Sequence, residues 1–145
     1  MNKFNFKLQK VLEFKTSLEE KKKQEFAEEL RRYYNEENKL KELIDKKHHL
    51  INNSIKFKTA VEYQNYVRYL NYIDKMIENQ TIVLNQVKAN VENARNELIK
   101  AVKDKNIIEK LKEKAYREFL EEANKKEQAL NDDYALHLYL RSEGR

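Results

Sequence analysis

YVRYLNYIDKMIENQTIVLNQVKANVENARNELIKAVKDKNII, residues 66–108, decides the fold. Read in alternating steps of four and three, it gives Tyr66, Leu70, Ile73, Ile77, Gln80, Leu84, Val87, Val91, Ala94, Leu98, Ala101, Lys105 and Ile108. Eleven of these thirteen positions are apolar or aromatic, which is a heptad seam. A period of 3.5 residues predicts a left-handed supercoil with a partner helix.

The partner lies upstream. Phe4, Leu8, Val11, Leu18, Phe26, Leu30, Tyr33, Leu40, Ile44 and Ile51 repeat the pattern less regularly, with Lys15 and Lys22 interrupting it. Between the two runs stands NNSIKFKT, residues 52–59, whose Asn52, Asn53 and Ser54 form a helix-ending polar cluster. Thr59-Ala60-Val61-Glu62 then fits a capping box, the Thr59 hydroxyl accepting from the Glu62 N–H and the Glu62 carboxylate from the Thr59 N–H. The expectation is an all-α fold, an antiparallel coiled-coil hairpin forming a single domain over residues 1–145. Helix 1 is expected over about 4–52, a turn over about 53–59 and helix 2 over about 60–140.

At 1.5 Å per residue these helices would be roughly 75 Å and 120 Å long, so helix 2 overhangs helix 1. Folding back around residue 56 pairs positions that sum to about 112, which sets Phe4 beside Ile108 and leaves helix 2 unpaired after about residue 110. The seam decays at the same place, continuing as Lys112, Ala115, Phe119, Glu122, Lys126, Ala129 and Asp133. Apolar residues return in ALHLYL, residues 135–140. On an overhanging helix that cluster is a contact surface; the alternative is a tail folded back on the N-terminus.

Composition agrees with long solvent-washed helices. The chain has no proline, no cysteine and one glycine, Gly144, while 38% of its residues are charged. Tight turns that need a left-handed backbone or a pre-set φ are therefore scarce. Absence of cysteine excludes disulfides and suits a reducing compartment, and a cytoplasmic protein is expected. The longest apolar runs are three residues, such as Ile82-Val83-Leu84, so no direct membrane insertion is expected. The net charge of +5 is spread thinly, with acids interleaved among bases, as in Glu19-Glu20 before Lys21-Lys22-Lys23. Nucleic-acid binders concentrate positive charge instead.

Catalytic constellations are not found. Phosphate-cradling loops need several glycines, and thiol chemistry needs a cysteine. Asp45 lies three and four residues before His48 and His49, but a bundle di-metal site needs a second such motif and further acids. No enzyme activity, metal or cofactor is expected.

Helical rotation separates the tyrosines of the hairpin tip. Tyr63 and Tyr66 occupy seam positions facing helix 1, Tyr69 lies on the flank and Tyr72 faces water. Tyr69, Met76 and Val83 repeat every seven residues along that flank, a stripe suited to protein recognition. Stacking on nucleic acid is the rival use, weakened because Arg68 and Lys75 are offset by Glu62, Asp74 and Glu78.

FNFKLQKVLEFK (residues 4–15), the block from Tyr63 to Gln80 and ARNELIKAVKDKNIIEKLKEK (residues 94–114) resemble the FliJ family, coiled-coil proteins of the flagellar type III export ATPase complex. The resemblance implies a hairpin similar to the central stalk of rotary ATPases. One end would enter the pore of the hexameric flagellar export ATPase and promote ring assembly; another region would meet the membrane export gate protein, and export chaperones would bind transiently. It places the protein at the cytoplasmic face of the membrane. The gate-facing residues it implies are Leu43, Leu50, Tyr69, Ile73, Met76 and Gln80. Phe4, Phe6 and Leu8 with Leu136 and Leu140 are candidates at the ATPase end. The alternatives are a counterpart in a virulence type III secretion system, a nucleic-acid-associated coiled coil and a homo-oligomeric scaffold.

Overall fold

A computed structural model of the chain describes residues 2–53 and 57–144. Two helices account for nearly all of it, α1 (Gln9–Asn52) and α2 (Ala60–Glu143), packed against each other as an antiparallel hairpin with no strand among the described residues. Ser54 of the expected polar cluster, and residue 56 about which the chain was expected to fold back, lie outside the described residues. The chain divides into two compact units, Met1–Leu18 with Ala101–Arg145, and Glu19–Lys100.

In the unit formed by Glu19–Lys100, the α2 seam is as expected. Ile73, Val87 and Val91 are buried, and Tyr66, Leu70, Ile77, Gln80, Leu84, Ala94 and Leu98 are half-buried. The facing side of α1 is the expected one only in part: Phe26, Leu30, Tyr33 and Leu40 are half-buried as expected, and charged residues share the stripe with them. It runs through Glu19, Lys22, Phe26, Glu29, Tyr33, Glu36, Leu40, Leu43, Lys47 and Leu50, all buried or half-buried. Lys22 therefore belongs to the seam that it was expected to interrupt, while Ile44 and Ile51 are exposed. Long charged side chains make this possible by laying their stems over the apolar face of α2 while their heads reach its flank. Lys22 Nζ lies 2.9 Å from Glu97, Lys47 Nζ lies 2.6 Å from Asp74, and the Arg95 guanidinium sits 5.7 Å over the Phe26 ring.

The register is displaced from the expected one. Folding back about residue 56 would set Glu36 beside residue 76 and Lys22 beside residue 90; the observed partners are Gln80 and Glu97. The first turns of α2 are exposed from Ala60 to Asn65 and meet the linker through Phe57. Phe57 packs its ring against Tyr66 at 4.9 Å and Tyr63 at 5.5 Å; Tyr66 is half-buried in the seam as expected, whereas Tyr63 is 55% exposed. The α2 N-terminus realises half of the capping box. The Glu62 N–H donates to Thr59 Oγ1 at 3.2 Å, but the Glu62 carboxylate accepts from the Lys58 N–H at 2.9 Å.

In the other unit, Leu12 packs as a buried residue of α1 and Ala101 as one of α2, and Lys15 pairs with Asp104 at 3.8 Å. Here α1 starts at Gln9 rather than near residue 4. Residues 2–6 are non-helical and the Gln9 N–H closes a turn on the Phe6 carbonyl. Phe4 is drawn away to α2, where its ring meets Tyr116 edge-on at 5.2 Å and Phe119 at 5.5 Å, not Ile108. The displaced register is why cover on α2 continues through half-buried Lys112, Ala115 and Phe119 instead of ending near residue 110: Lys15 pairs with Asp104 and Phe4 with Tyr116, where folding about residue 56 would give residues 97 and 108. Residues 120–144 are all exposed, so the tail does not fold back on the N-terminus.

Candidate functional site

Within Glu19–Lys100, the exposed stripe and the gap between the helices meet in a shallow, open groove. Tyr69 and Ile73 supply the α2 wall; Leu50 and the polar residues Glu42, Asp45, Lys46 and His49 supply the α1 wall. Heptad spacing explains the apolar part. Ile73 and Leu50 are seam positions, and Tyr69 stands one position before the seam residue Leu70. The polar residues occupy the solvent side of α1, and the Asn53 amide nitrogen lies 2.9 Å from His49 Nε2 at the groove edge.

Six residues were expected to meet a partner here, and the structure separates them by accessibility. Tyr69 is 49% exposed and Met76 37% exposed. Leu43 and Leu50 are half-buried. Ile73 is 2% exposed, so it forms the groove floor more than a free contact. Gln80 is half-buried and engaged across the hairpin: its amide donates to Glu36 Oε2 at 2.6 Å and to the Glu36 carbonyl at 3.0 Å. Tyr72, read as facing water, stacks on Tyr69 with ring centroids 6.3 Å apart and planes 26° apart.

The charges along this unit are set by their pairings. Gln80 donation and the nearby Lys39 hold the Glu36 carboxyl below the usual carboxylate range, against the opposing effect of desolvation. Bonds to Glu97 and Glu25 push the Lys22 ammonium up. The Glu37 carboxylate pushes the Tyr33 hydroxyl up. Glu29 bonds Arg32 through Oε1 at 3.4 Å, while its Oε2 is buried with no hydrogen-bond partner among the described residues.

The second candidate region lies in the other unit. Phe4 and Phe6 are half-buried and Leu8 is 38% exposed. Leu136 and Leu140 are 56% and 58% exposed on the uncovered part of α2, with Leu130, Tyr134 and Tyr139 also exposed there. Phe4 does not meet Leu136 or Leu140; its partners are Tyr116 and Phe119. Sequence reasoning missed Tyr116 altogether and took Phe119 as part of a decaying seam, although aromatic residues at both ends of a hairpin are a signal for such a cluster.

No helix among the described residues is long and apolar enough to cross a membrane. The family model described as flagellar FliJ protein matches residues 4–144. No curated protein and no solved structure matches the chain.

Proposed function

The chain belongs to the flagellar FliJ protein family, and from that premise we propose that it is a non-enzymatic central-stalk component of the flagellar type III export apparatus. In this reading it binds the hexameric export ATPase, promotes assembly of that ring and couples it to the membrane export gate protein. It works at the cytoplasmic face of the membrane and passes through transient contacts with export chaperones. The family match favours the flagellar system over a virulence counterpart.

The observation that carries the gate half is the groove with Tyr69 and Ile73 on one wall and Leu50 on the other. Three residues expected at the gate surface from sequence converge there from two helices, and Met76 extends the exposed stripe. Aromatic and methionine side chains on a hydrophobic floor are well suited to accept an apolar anchor from a protein partner. For the ATPase half, support comes from the exposed Leu136 and Leu140, with Phe4, Phe6 and Leu8 in the same unit.

Co-purification with the export ATPase and stimulation of its hydrolysis test the reading. The Tyr69→Ala/Met76→Ala variant is expected to remain folded, bind the ATPase and lose the gate. Wild-type affinity of that variant for the gate, together with absence of ATPase binding by the native chain, overturns the proposal.

A further inference from the structure

Gln80 sits at the edge of the proposed gate surface, yet its side chain is committed to the other helix. We propose that Gln80 is a positioning residue, fixing the register of α1 on α2 and thereby assembling a groove whose walls come from different helices. The functional half of this inference rests on the gate-docking reading; the register half stands by itself.

From Tyr66 to Ala101 every α2 seam position is apolar or aromatic except Gln80. Its amide nitrogen reaches two acceptors, the carboxylate and the backbone carbonyl, and both belong to Glu36. Leaving a half-buried amide without partners is costly, whereas the bonded arrangement is close to neutral. A lone polar residue in an apolar seam therefore acts less as a source of stability than as a choice among alignments.

The alternatives can be worked through. The seam neighbours of Glu36 on α1 are Tyr33 and Leu40, so a slip of half a heptad takes the Gln80 amide off a carboxylate and onto the Tyr33 ring or the Leu40 side chain. A whole heptad in one direction offers Leu43. In the other direction it offers Glu29, whose Oε2 is an open acceptor. That slip, however, separates Lys22 from Glu97 and Lys47 from Asp74. Gln80 excludes most misalignments and the two ion pairs exclude the remaining one. Register matters to the groove because a slip of one heptad carries the α1 wall about 10 Å along α2, moving Leu50 and His49 away from Tyr69 and Ile73.

The chain has no cysteine, so spin labels can be placed by substitution. Glu28→Cys and Asn65→Cys put one label on each helix of this unit at exposed positions, separated far enough along the hairpin that a slip changes the distance between them nearly one for one. With Gln80 present, pulsed electron resonance is expected to give one narrow distance distribution. Gln80→Leu should keep the helix content and add populations displaced by about 10 Å. Its affinity for the purified cytoplasmic part of the gate should fall by roughly tenfold if a tenth of the molecules keep the competent register. Glu36→Gln retains an amide oxygen and the backbone carbonyl, so it should keep one distance and bind nearly as well as the native chain. A single narrow distribution in Gln80→Leu overturns the register role; if binding is nevertheless lost, Gln80 is a contact residue. Absence of gate binding by the native chain sinks the docking reading, and the distance distributions then still decide the register.

Discussion

Replacing Ile73 with alanine tests the seam against an internal control, because Ile82 on the same helix carries the same side chain in a different place. Ile73 is 2% exposed and Ile82 53% exposed. Each truncation removes three carbons, and at about 0.8 kcal/mol per buried methylene the loss is about 2.4 kcal/mol for Ile73 and about half of that for Ile82. An unfilled cavity adds to the first figure. The better helix propensity of alanine returns about 0.4 kcal/mol in both cases. Net destabilisation is then about 2–3 kcal/mol for Ile73→Ala and about 0.7 kcal/mol for Ile82→Ala. In urea, with a slope of about 2 kcal/mol per molar, the Ile73→Ala midpoint falls by about 1 M and that of Ile82→Ala by about 0.3 M. Far-UV circular dichroism at fixed protein concentration reads both midpoints, and the slopes should match. Equal shifts in the two variants would refute the placement of Ile73 in the seam.

The remaining predictions concern the ends and the charges. Phe4→Ala removes two ring contacts of about 0.5–1.5 kcal/mol each beyond area burial. It should speed amide exchange at the start of α1 and around residues 112–119, and unchanged protection there would rule out the arm as a cover. Because the Glu36 carboxyl is depressed, its contribution to stability is present above the ordinary carboxylate range and is lost as pH falls through the lowered value. Glu36→Gln should therefore flatten the acid limb of a midpoint-versus-pH profile, and an unaltered limb counts against the pairing. The raised Lys22 acts in the opposite sense, contributing below the ordinary lysine value and losing its effect as pH rises through the raised one. Glu29→Leu should raise the urea midpoint, since removing a buried carboxylate oxygen without a partner relieves about 1 kcal/mol or more; a lowered midpoint would contradict the burial. Leu136→Ser with Leu140→Ser should change stability by less than about 0.5 kcal/mol while weakening association with the export ATPase, and a large fall in stability would mean that the tail is covered.

The two helices were not equally legible. On α2 hydrophobicity and burial coincide: each seam position named from Tyr66 to Ile108 is buried or half-buried. On α1 they diverge, because Lys15, Lys22, Lys47, Glu19, Glu29 and Glu36 turn inward while Val11, Ile44 and Ile51 turn outward. A pattern search that equates inside with apolar finds Leu18, Phe26, Leu30, Tyr33 and Leu40 on such a helix but misses the charged members of the same stripe. The register followed from the midpoint of the linker, and Phe57 defeats that estimate by packing against Tyr63 and Tyr66 instead of leading straight to α1. At the candidate surface, rotation about α2 correctly brought out Tyr69 and Met76. The stack of Tyr72 on Tyr69 and the bond from Gln80 to Glu36 depend on rotamers and cross-helix alignment, which spacing alone does not carry.

The apolar α2 seam faces an α1 seam in which charged residues alternate with Phe26, Tyr33, Leu40, Leu43 and Leu50. Among the described residues only Leu12, Ile73, Val87, Val91 and Ala101 are buried apolar side chains. A hairpin with so thin a core gains little from any single layer, so the energy gap between competing registers is small unless polar groups enlarge it. Each inward charge on α1 adds to that gap only when a particular partner on α2 is opposite, as Lys22 is to Glu97 and Lys47 to Asp74. An all-leucine α1 would bind α2 more tightly and accept several alignments, and it would also suit the α2 seam of a second copy. Polar residues on α1 thus exchange stability for alignment. A protein that presents a composite surface from two helices needs that alignment more than it needs depth of core.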